Sequence, residues 1–164
     1  MFTRILVPTD FSATSDTALE YARGLTERFG AALHLVHVLE EPLVATLGNA
    51  LELPEAPEYR TAVVVDAQTR LAHRAYPRAS AQPLATTKVI PGTAASAIVN
   101  YAAEHAVDLI VMGTHGRTGM AHLMVGSVAE QVVRSAPCPV LTVRLHPLPV
   151  EQPGDMPVAA AVAR

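Results

Sequence analysis

Residues 108–127 read DLIVMGTHGRTGMAHLMVGS, and the fold can be inferred outward from them. The first part, Asp108 to Met112, is a short apolar run typical of a buried β-strand. Glycines follow at three-residue spacing, at positions 113, 116 and 119, and Gly126-Ser127 opens a segment of helical period. This order of strand, glycine-bearing loop and helix start indicates phosphate binding, because the backbone can approach the ligand and the helix N-terminus carries partial positive charge.

Apolar runs and helical segments alternate along the rest of the chain, which is the pattern of an α/β fold with a parallel sheet. The predicted strands are residues 4–7, 33–39, 84–90, 108–112 and 139–143. Helices are predicted from the cap residues 12–16 as far as Gly30, and at 59–76, 94–105 and 126–136. The apolar side of the last helix, which we expect to be buried, consists of Ala129, Val132, Val133 and Ala136. Residues 40–58 carry Pro42, Gly48, Pro54 and Pro57, and we predict a mobile excursion near the site.

Length and composition predict one domain with one core. The chain has 164 residues, of which 50% are apolar, and the predicted domain spans residues 1–145. Residues 146–164 contain four prolines and no usable period, so we predict a disordered tail. The net charge of -3 and the lack of a Lys/Arg stripe argue against nucleic-acid binding.

The sequence also predicts a cellular compartment. No apolar stretch approaches the roughly 20 residues that cross a bilayer, and the first residues lack an apolar signal region. The single cysteine, Cys138, excludes an internal disulfide, and its position between Pro137 and Pro139 indicates a structural turn. These features predict a soluble cytoplasmic protein that neither enters a membrane nor is exported.

Two common nucleotide motifs are absent from the glycine loop. Lys88 is the only lysine, so the chain has no Walker-type Gly-Lys-Ser or Gly-Lys-Thr. The spacing by threes also excludes the G-x-G-x-x-G fingerprint of dinucleotide folds. A phosphate would instead be held by backbone N–H groups, the Ser127 hydroxyl and the Arg117 guanidinium. The glycines alone would also suit a tight turn that binds no ligand.

Three segments together resemble the universal stress protein family. Gly113-x2-Gly116-x9-Gly126-Ser127 fits the G-x2-G-x9-G-[S/T] signature of its ATP-binding members. ILVPTDFS at 5–12 is similar to the family's first strand and loop, and SAPCPVLTV at 135–143 is similar to its closing segment. The resemblance covers residues 2–145. One departure is Ala129, where several members have a hydroxyl residue.

The resemblance implies a three-layer, doubly wound, five-stranded parallel sheet of strand order 3-2-1-4-5, the adenine nucleotide alpha hydrolase-like fold. ATP, ADP or AMP would lie over the carboxyl ends of the strands, at the topological switch between strands one and four, where such sheets bind ligands. Pro8, Thr9 and Asp10 would border adenine and ribose, with the Asp10 carboxylate accepting from the ribose hydroxyls. The other implied site residues are Val38 at the adenine edge, Met112 near the nucleoside, Gly113, Gly116, Gly126 and Ser127 around the phosphates, and His115, Arg117 and Val128 in the same pocket.

Some of these residues have simpler interpretations. Asp10 could cap the following helix, His115 could face solvent, and Met112 could belong to the core. His34 and His37 look like a metal-ligand pair, but odd spacing on a strand directs them to opposite faces. We therefore predict no protein-built metal site, although Mg2+ or Mn2+ could enter with the phosphates.

No catalytic constellation is evident, so the leading hypothesis is a stress-response binding module. It would sense ATP, ADP or AMP and signal to an unidentified protein partner. The alternatives are a slow ATPase or autophosphorylating protein, with Ser127 as a possible acceptor, and a nucleotide-free interaction protein. In the implied strand order the apolar strand 139–143 lies on an open edge, which predicts a homodimer paired through that strand.

Overall fold

The structure is a computed structural model and describes residues 2–40, 57–75, 85–114 and 126–144. In this part of the chain strands and helices alternate as β1 (Arg4–Pro8), α1 (Ala13–Phe29), β2 (Ala32–Leu39), α2 (Pro57–Ala75), β3 (Thr86–Pro91), α3 (Ala94–Glu104), β4 (Leu109–Gly113), α4 (Ser127–Ser135) and β5 (Val140–Val143). Most of the predicted excursion at 40–58 and the whole predicted tail at 146–164 lie outside the described residues.

The strands form one parallel sheet in the order β3-β2-β1-β4-β5, as predicted. β1 lies at the centre, with Ile5 opposite both Leu33 of β2 and Leu109 of β4. The chain winds outward from β1 to β3 in one direction and from β4 to β5 in the other. The carboxyl ends of β1 and β4 are therefore the switch point, where the connections that follow them separate to opposite faces of the sheet.

Alternate residues of the central strands bury into two cores, one on each face of the sheet. Ile5 and Val7 pack with α1 and α2, whereas Leu6 and Ile110 pack with α3 and α4. All four side chains are fully buried, and each stabilises the fold by about 1.5–3 kcal/mol by leaving water. Because β1 is apolar on both faces, it requires helices on both sides, and the result is the predicted three-layer structure.

The ends of α1 are those expected from the sequence. The Ser12 side chain accepts a hydrogen bond from the Ser15 N–H and caps the first turn. Gly30 ends the helix in the left-handed conformation, at φ 66°, and donates its N–H to the Thr26 carbonyl.

Other predicted boundaries move by one or two residues. α2 begins at Pro57 rather than at 59, because a proline at the first helical position needs no acceptor for an N–H. β3 runs from Thr86 to Pro91. It is an edge strand of the described sheet, so it tolerates a proline, which has no backbone N–H to donate. Further differences of one residue include the end of α3 at Glu104 and the starts of β4 and β5 at Leu109 and Val140.

The edge of the described sheet at β5 exposes apolar side chains on both of its faces. The prediction that Val133 is buried beside Ala129 and Val132 is wrong, since Val133 is 52% exposed and the other two are buried. The reason is that no described strand lies beyond β5, so the outer side of α4 has no layer to pack against. Leu141 of β5 is 40% exposed, and Tyr21 of α1 is 59% exposed.

The two histidines of β2 point to opposite faces of the sheet, as predicted. His34 Nδ1 lies 3.0 Å from the Tyr101 hydroxyl of α3. His37 Nδ1 lies 2.8 Å from the Thr9 carbonyl oxygen, on the face covered by α1 and α2. Since a carbonyl only accepts hydrogen bonds, the imidazole of His37 is the donor. The two side chains therefore cannot ligate one metal ion.

Basic and aromatic side chains surround His34 at the amino edge of the sheet. The rings of Tyr101 and His105 stack with their centres 3.9 Å apart, and the His34 ring is 6.0 Å from that of His105. Arg4 donates to the His105 carbonyl oxygen at 3.1 Å. Burial and, to a smaller extent, the charges of His105 and Arg4 lower the pKa of His34.

Because its pKa is lowered on folding, His34 should make stability depend on pH. The unfolded chain takes up a proton at His34 near pH 6.5, its ordinary pKa, whereas the folded chain resists protonation there. The contribution of His34 to stability is therefore retained above about pH 6.5 and is lost as the pH falls through the pKa of the folded state. We expect His34→Gln to flatten the decline in melting temperature between about pH 7.5 and pH 5. His73→Gln, which changes an exposed histidine of α2, is the control and should leave the decline unchanged. An unaltered decline in His34→Gln would contradict the assignment.

Candidate functional site

The sequence predicts the candidate site at the carboxyl ends of β1 and β4. Several half-buried apolar side chains there border the core on the α3 and α4 face, namely Val38, Ile90 and Val128. Pro8 ends β1 and is buried. Met112 is only 5% exposed and belongs to the same core, which favours the simpler interpretation that it is a core residue. Sequence reasoning missed Ile90, which is opposite Val38 in the β2–β3 pairing.

Thr114 holds the two ends of the glycine loop together. The chain leaves β4 at Thr114 and returns at Gly126, whose N–H donates to the Thr114 carbonyl oxygen at 2.7 Å. The Thr114 N–H donates to the carbonyl oxygen of Val143 at 2.9 Å, and its hydroxyl lies 3.3 Å from the same atom. Its side chain is 2% exposed. Gly113 and Gly126, the first and last glycines of the signature, are therefore neighbours. The predicted site residues His115, Gly116 and Arg117 lie outside the described residues.

The N-terminus of α4 presents backbone N–H groups at this crevice. Gly126 is the N-cap and has no side chain with which to cap the helix. Its own N–H already binds Thr114, so the next three N–H groups, those of Ser127, Val128 and Ala129, are the ones that helix geometry leaves without an intrahelical acceptor. The helix dipole places partial positive charge at the same point, and the Ser127 side chain is exposed. An anion can be bound here without any lysine.

Gly113 is required by packing as well as by any ligand. A Cβ atom added to Gly113 would lie 2.8 Å from Cγ2 of Thr14 and 3.3 Å from its backbone carbon. These atoms belong to the first turn of α1, on the face of the sheet opposite the apolar side chains that border the crevice. The glycine thus allows α1 to approach β4 closely.

The loop from β1 to α1 holds Thr9 by its side chain and by its backbone. Thr9 is 6% exposed, and its hydroxyl lies 2.9 Å from the Ser15 hydroxyl inside the first turn of α1. Its N–H donates to the Val36 carbonyl oxygen of β2 at 2.8 Å. Because the Thr9 side chain faces α1, Thr9 can contact a ligand in the crevice only through its carbonyl oxygen or its Cα.

Asp10 supports the helix cap without being the cap. Its Oδ1 accepts hydrogen bonds from the Ser12 N–H at 3.1 Å and from the Ser12 hydroxyl at 2.6 Å. Ser12, in turn, caps α1. The alternative that Asp10 itself caps the helix is therefore wrong, because the chain needs two further residues before the helical dihedral angles begin.

Phe11, between Asp10 and Ser12, has a positive φ of 66°. A left-handed conformation costs a residue with a side chain about 1–2 kcal/mol, and local strain of this kind is common near functional sites. The Phe11 ring lies 4.3 Å from the ring of His37 and 4.0 Å from the guanidinium carbon of Arg70. Sequence reasoning missed Phe11, His37 and Thr114, because each acquires its role through a contact between distant parts of the chain.

The described residues offer binding groups and no evident catalytic machinery. No group of three or more His, Cys, Asp or Glu side chains among them could hold a metal ion. Burial, and next the Asp108 carboxylate, raise the pKa of Cys138, which keeps its thiol protonated and agrees with the structural role predicted for it. None of the helices in the described ranges is long and apolar enough to span a membrane.

Comparisons with known proteins agree with this architecture. The model of the Universal stress protein family matches residues 1–144. Universal stress protein YxiE of Bacillus subtilis is 35% identical over 148 residues, which cover 88% of this chain and 100% of YxiE.

Solved structures extend the similarity to the fold. The structure of MJ0577, a universal stress protein of Methanocaldococcus jannaschii, has a TM-score of 0.64 at 26% identity and covers 90% of this chain and 99% of its own. A universal stress protein in complex with cAMP has a TM-score of 0.55 at 25% identity, with coverage of 87% and 96% respectively.

The contact between Gly113 and Thr14 can be tested by a double-mutant cycle. Gly113→Ala should lower the free energy of unfolding by about 1–3 kcal/mol, because the added methyl group overpacks the contact between β4 and α1. Thr14→Ala removes the nearest atom, so in that background the cost of Gly113→Ala should fall below about 1 kcal/mol. Urea denaturation of the four proteins measures both values. Equal costs in the two backgrounds would show that Gly113 does not pack against Thr14.

Proposed function

The chain belongs to the universal stress protein family, and on that premise we propose that it binds an adenine nucleotide at the carboxyl ends of β1 and β4. The observation that carries the proposal is the hydrogen bond of 2.7 Å between Gly126 and Thr114. It brings the two ends of the glycine signature to the switch point of the sheet, beside the N-terminus of α4. Sheets of this class bind ligands at such crevices, and helix N-termini bind phosphate.

In the proposed complex the adenine and ribose lie over β1 and β2, and the phosphates lie at α4. Pro8, Thr9 and the backbone of Val38 border the adenine, and the Asp10 carboxylate accepts hydrogen bonds from the ribose hydroxyls. The Ser127 and Val128 N–H groups and the Ser127 hydroxyl bind the phosphates. The buried Met112 would belong to the core beneath the nucleoside, and the rest of the phosphate site would be formed by Gly113, His115, Gly116, Arg117 and Gly126.

Two further observations support this ligand class. The universal stress protein solved in complex with cAMP has the same fold and binds an adenine nucleotide. The half-buried apolar residues Val38, Ile90 and Val128 offer a surface of the kind that a purine needs, next to polar backbone groups. ATP, ADP and AMP share the adenosine part, so the crevice distinguishes them only at the phosphate end.

We further propose that the protein acts as a stress-response module of the cytoplasm and as a homodimer that signals to a protein partner. The dimer would form through β5, whose open edge lies beside a shallow apolar groove lined by Glu20, Tyr21, Gly24, Leu25 and Leu141. Mg2+ or Mn2+ would enter with the nucleotide phosphates, which need no dedicated protein ligands to carry a divalent ion.

The nucleotide proposal is tested by mass spectrometry of small molecules released from the purified protein, followed by calorimetry with ATP, ADP, AMP and cAMP. We expect an adenine nucleotide to be released or bound. Gly126→Val should weaken binding at least tenfold, because the backbone at φ -57° accepts any residue while the side chain fills the crevice at the start of α4. Gly24→Val is the matched control, since nothing lies within 4 Å of its added Cβ, and it should bind as the original chain does. Failure of the original chain to bind any of the four nucleotides would refute the proposal.

The dimer proposal is tested by light scattering of Leu141→Lys. A charge on the exposed face of β5 should shift the protein toward the monomer, because an apolar contact is replaced by two facing cations in a symmetric pair. Val65→Lys changes a residue of α2 that is 52% exposed and remote from β5, so it should leave the mass unchanged. A dimer that persists in Leu141→Lys would place the interface elsewhere.

A further inference from the structure

The left-handed backbone of Phe11 requires an explanation within the fold. A phenylalanine at φ 66° is unfavourable because its β-carbon crowds the following carbonyl group. Glycine and asparagine adopt this conformation at lower cost, but the residue here is neither. Such a conformation persists only where the surrounding structure holds it. The residues that hold Phe11 belong to three different elements.

The backbone of Phe11 is held by Thr9, which directly follows β1. Its N–H donates to the Thr9 hydroxyl at 3.0 Å, and that hydroxyl is itself 2.9 Å from the Ser15 hydroxyl in the buried first turn of α1. This hydrogen bond fixes the peptide group between Asp10 and Phe11, and the left-handed turn at Phe11 starts from that group.

The ring of Phe11 is held by β2 and α2. The His37 ring, tilted by 32°, lies 4.3 Å from the Phe11 ring, and its Nδ1 is hydrogen-bonded to the Thr9 carbonyl oxygen. The Arg70 guanidinium carbon lies 4.0 Å from the ring centre, within the range of a cation–π contact, and that of Arg74 lies at 5.0 Å. Arg74 also binds Asp16 of α1 through two hydrogen bonds, of 2.6 Å and 3.0 Å.

Asp10 lies between two fixed neighbours as a result. Thr9 is anchored to β2 by the N–H bond to Val36, and Phe11 is clamped by its ring. The Asp10 Oδ1 is bonded to Ser12, which follows Phe11 directly. A change of φ at Phe11 would rotate Ser12 away from Asp10 and release the carboxylate. The direction of the Asp10 side chain thus depends on contacts that Asp10 itself does not make.

We propose that Phe11 is a positioning residue, which, held by His37 and Arg70, directs the Asp10 carboxylate toward the ribose hydroxyls of the bound nucleotide. The inference rests on the proposed function and specifies how this chain recognises the sugar. Phe11 does not touch the ligand. It acts only through Asp10, and this restriction makes its role separable from a general contribution to stability.

The test compares the binding of ATP with that of 2′,3′-dideoxy-ATP, which lacks the hydroxyls that Asp10 would accept from. The original chain should bind ATP about tenfold more tightly, since a hydrogen bond to a charged group is lost with the analogue. Phe11→Ala should reduce this ratio to about twofold or less, because it should weaken the binding of ATP and leave the binding of dideoxy-ATP unchanged. Asp10→Ala should have the same effect, and Phe11→Ala added to Asp10→Ala should change neither affinity further.

Two more variants separate positioning from stability. Phe29→Ala removes a ring of the same size from the other end of α1, where it packs against Phe2 at 5.4 Å, so it should lower stability and keep the tenfold ratio. Arg70→Met retains Phe11 and removes the nearer of the two cations at its ring, together with an exposed ion pair to Asp66, so it should fold even if Phe11→Ala does not and should reduce the ratio by about half.

The outcomes distinguish the two proposals. Equal weakening of both ligands by Phe11→Ala, or an unchanged ratio in Arg70→Met, would overturn the role of Phe11 while nucleotide binding stands. A ratio near one in the original chain would overturn ribose recognition by Asp10 and, with it, the positioning role. Absence of any nucleotide binding by the original chain would overturn the proposed function and this inference together.

Discussion

The hydrogen bonds of Thr114 hold together the three elements on which the candidate site depends. Thr114 follows β4, its N–H binds the end of β5, and its carbonyl oxygen receives the N–H at the start of α4. The side chain is buried, so water does not compete for these groups. Without this junction the glycine signature would be two separate segments, and the helix N-terminus would have no fixed relation to the sheet.

The parallel sheet supplies the second constraint. Residues Ile5 to Pro8 of β1 are buried, and the first polar residues after them, Thr9 and Asp10, follow directly at the carboxyl end of the strand. The chain then turns within three residues to start α1. Phe11 accommodates this turn with a strained backbone, and contacts from β2 and α2 offset the strain. Residues that break local rules in this way are expected at sites whose geometry is set by binding.

Much of the fold could be predicted, because its signals are local in the sequence. The apolar run at 4–7, the capping serine at 12 and the glycine at 30 each act on their own neighbours, and all three predictions are confirmed. The strand order, by contrast, was expected from the family resemblance. The structure confirms it with the pairing of Ile5 and Leu109, which are far apart in the chain.

Prediction of the candidate site was partial for the same reason. The spacing of Gly113 and Gly126 is visible in the sequence, but their proximity depends on Thr114, whose partner Val143 is 29 residues away. The contacts of Phe11 with His37 and Arg70 likewise join distant parts of the chain, and no periodic pattern in the sequence predicts them. Val133 shows the opposite failure: its helical spacing is correct, but the layer that would cover it is missing from the described sheet.

The packing of Gly113 against Thr14 affects how this signature can be used to classify sequences. A descendant of this chain that no longer bound a nucleotide would still need a glycine at 113, because α1 approaches β4 too closely for a β-carbon. Gly126 is under no such steric demand from its backbone, whose φ of -57° suits any residue. In this chain, therefore, Gly113 is required by the fold whether or not a ligand binds, whereas a glycine at 126 is evidence for the ligand.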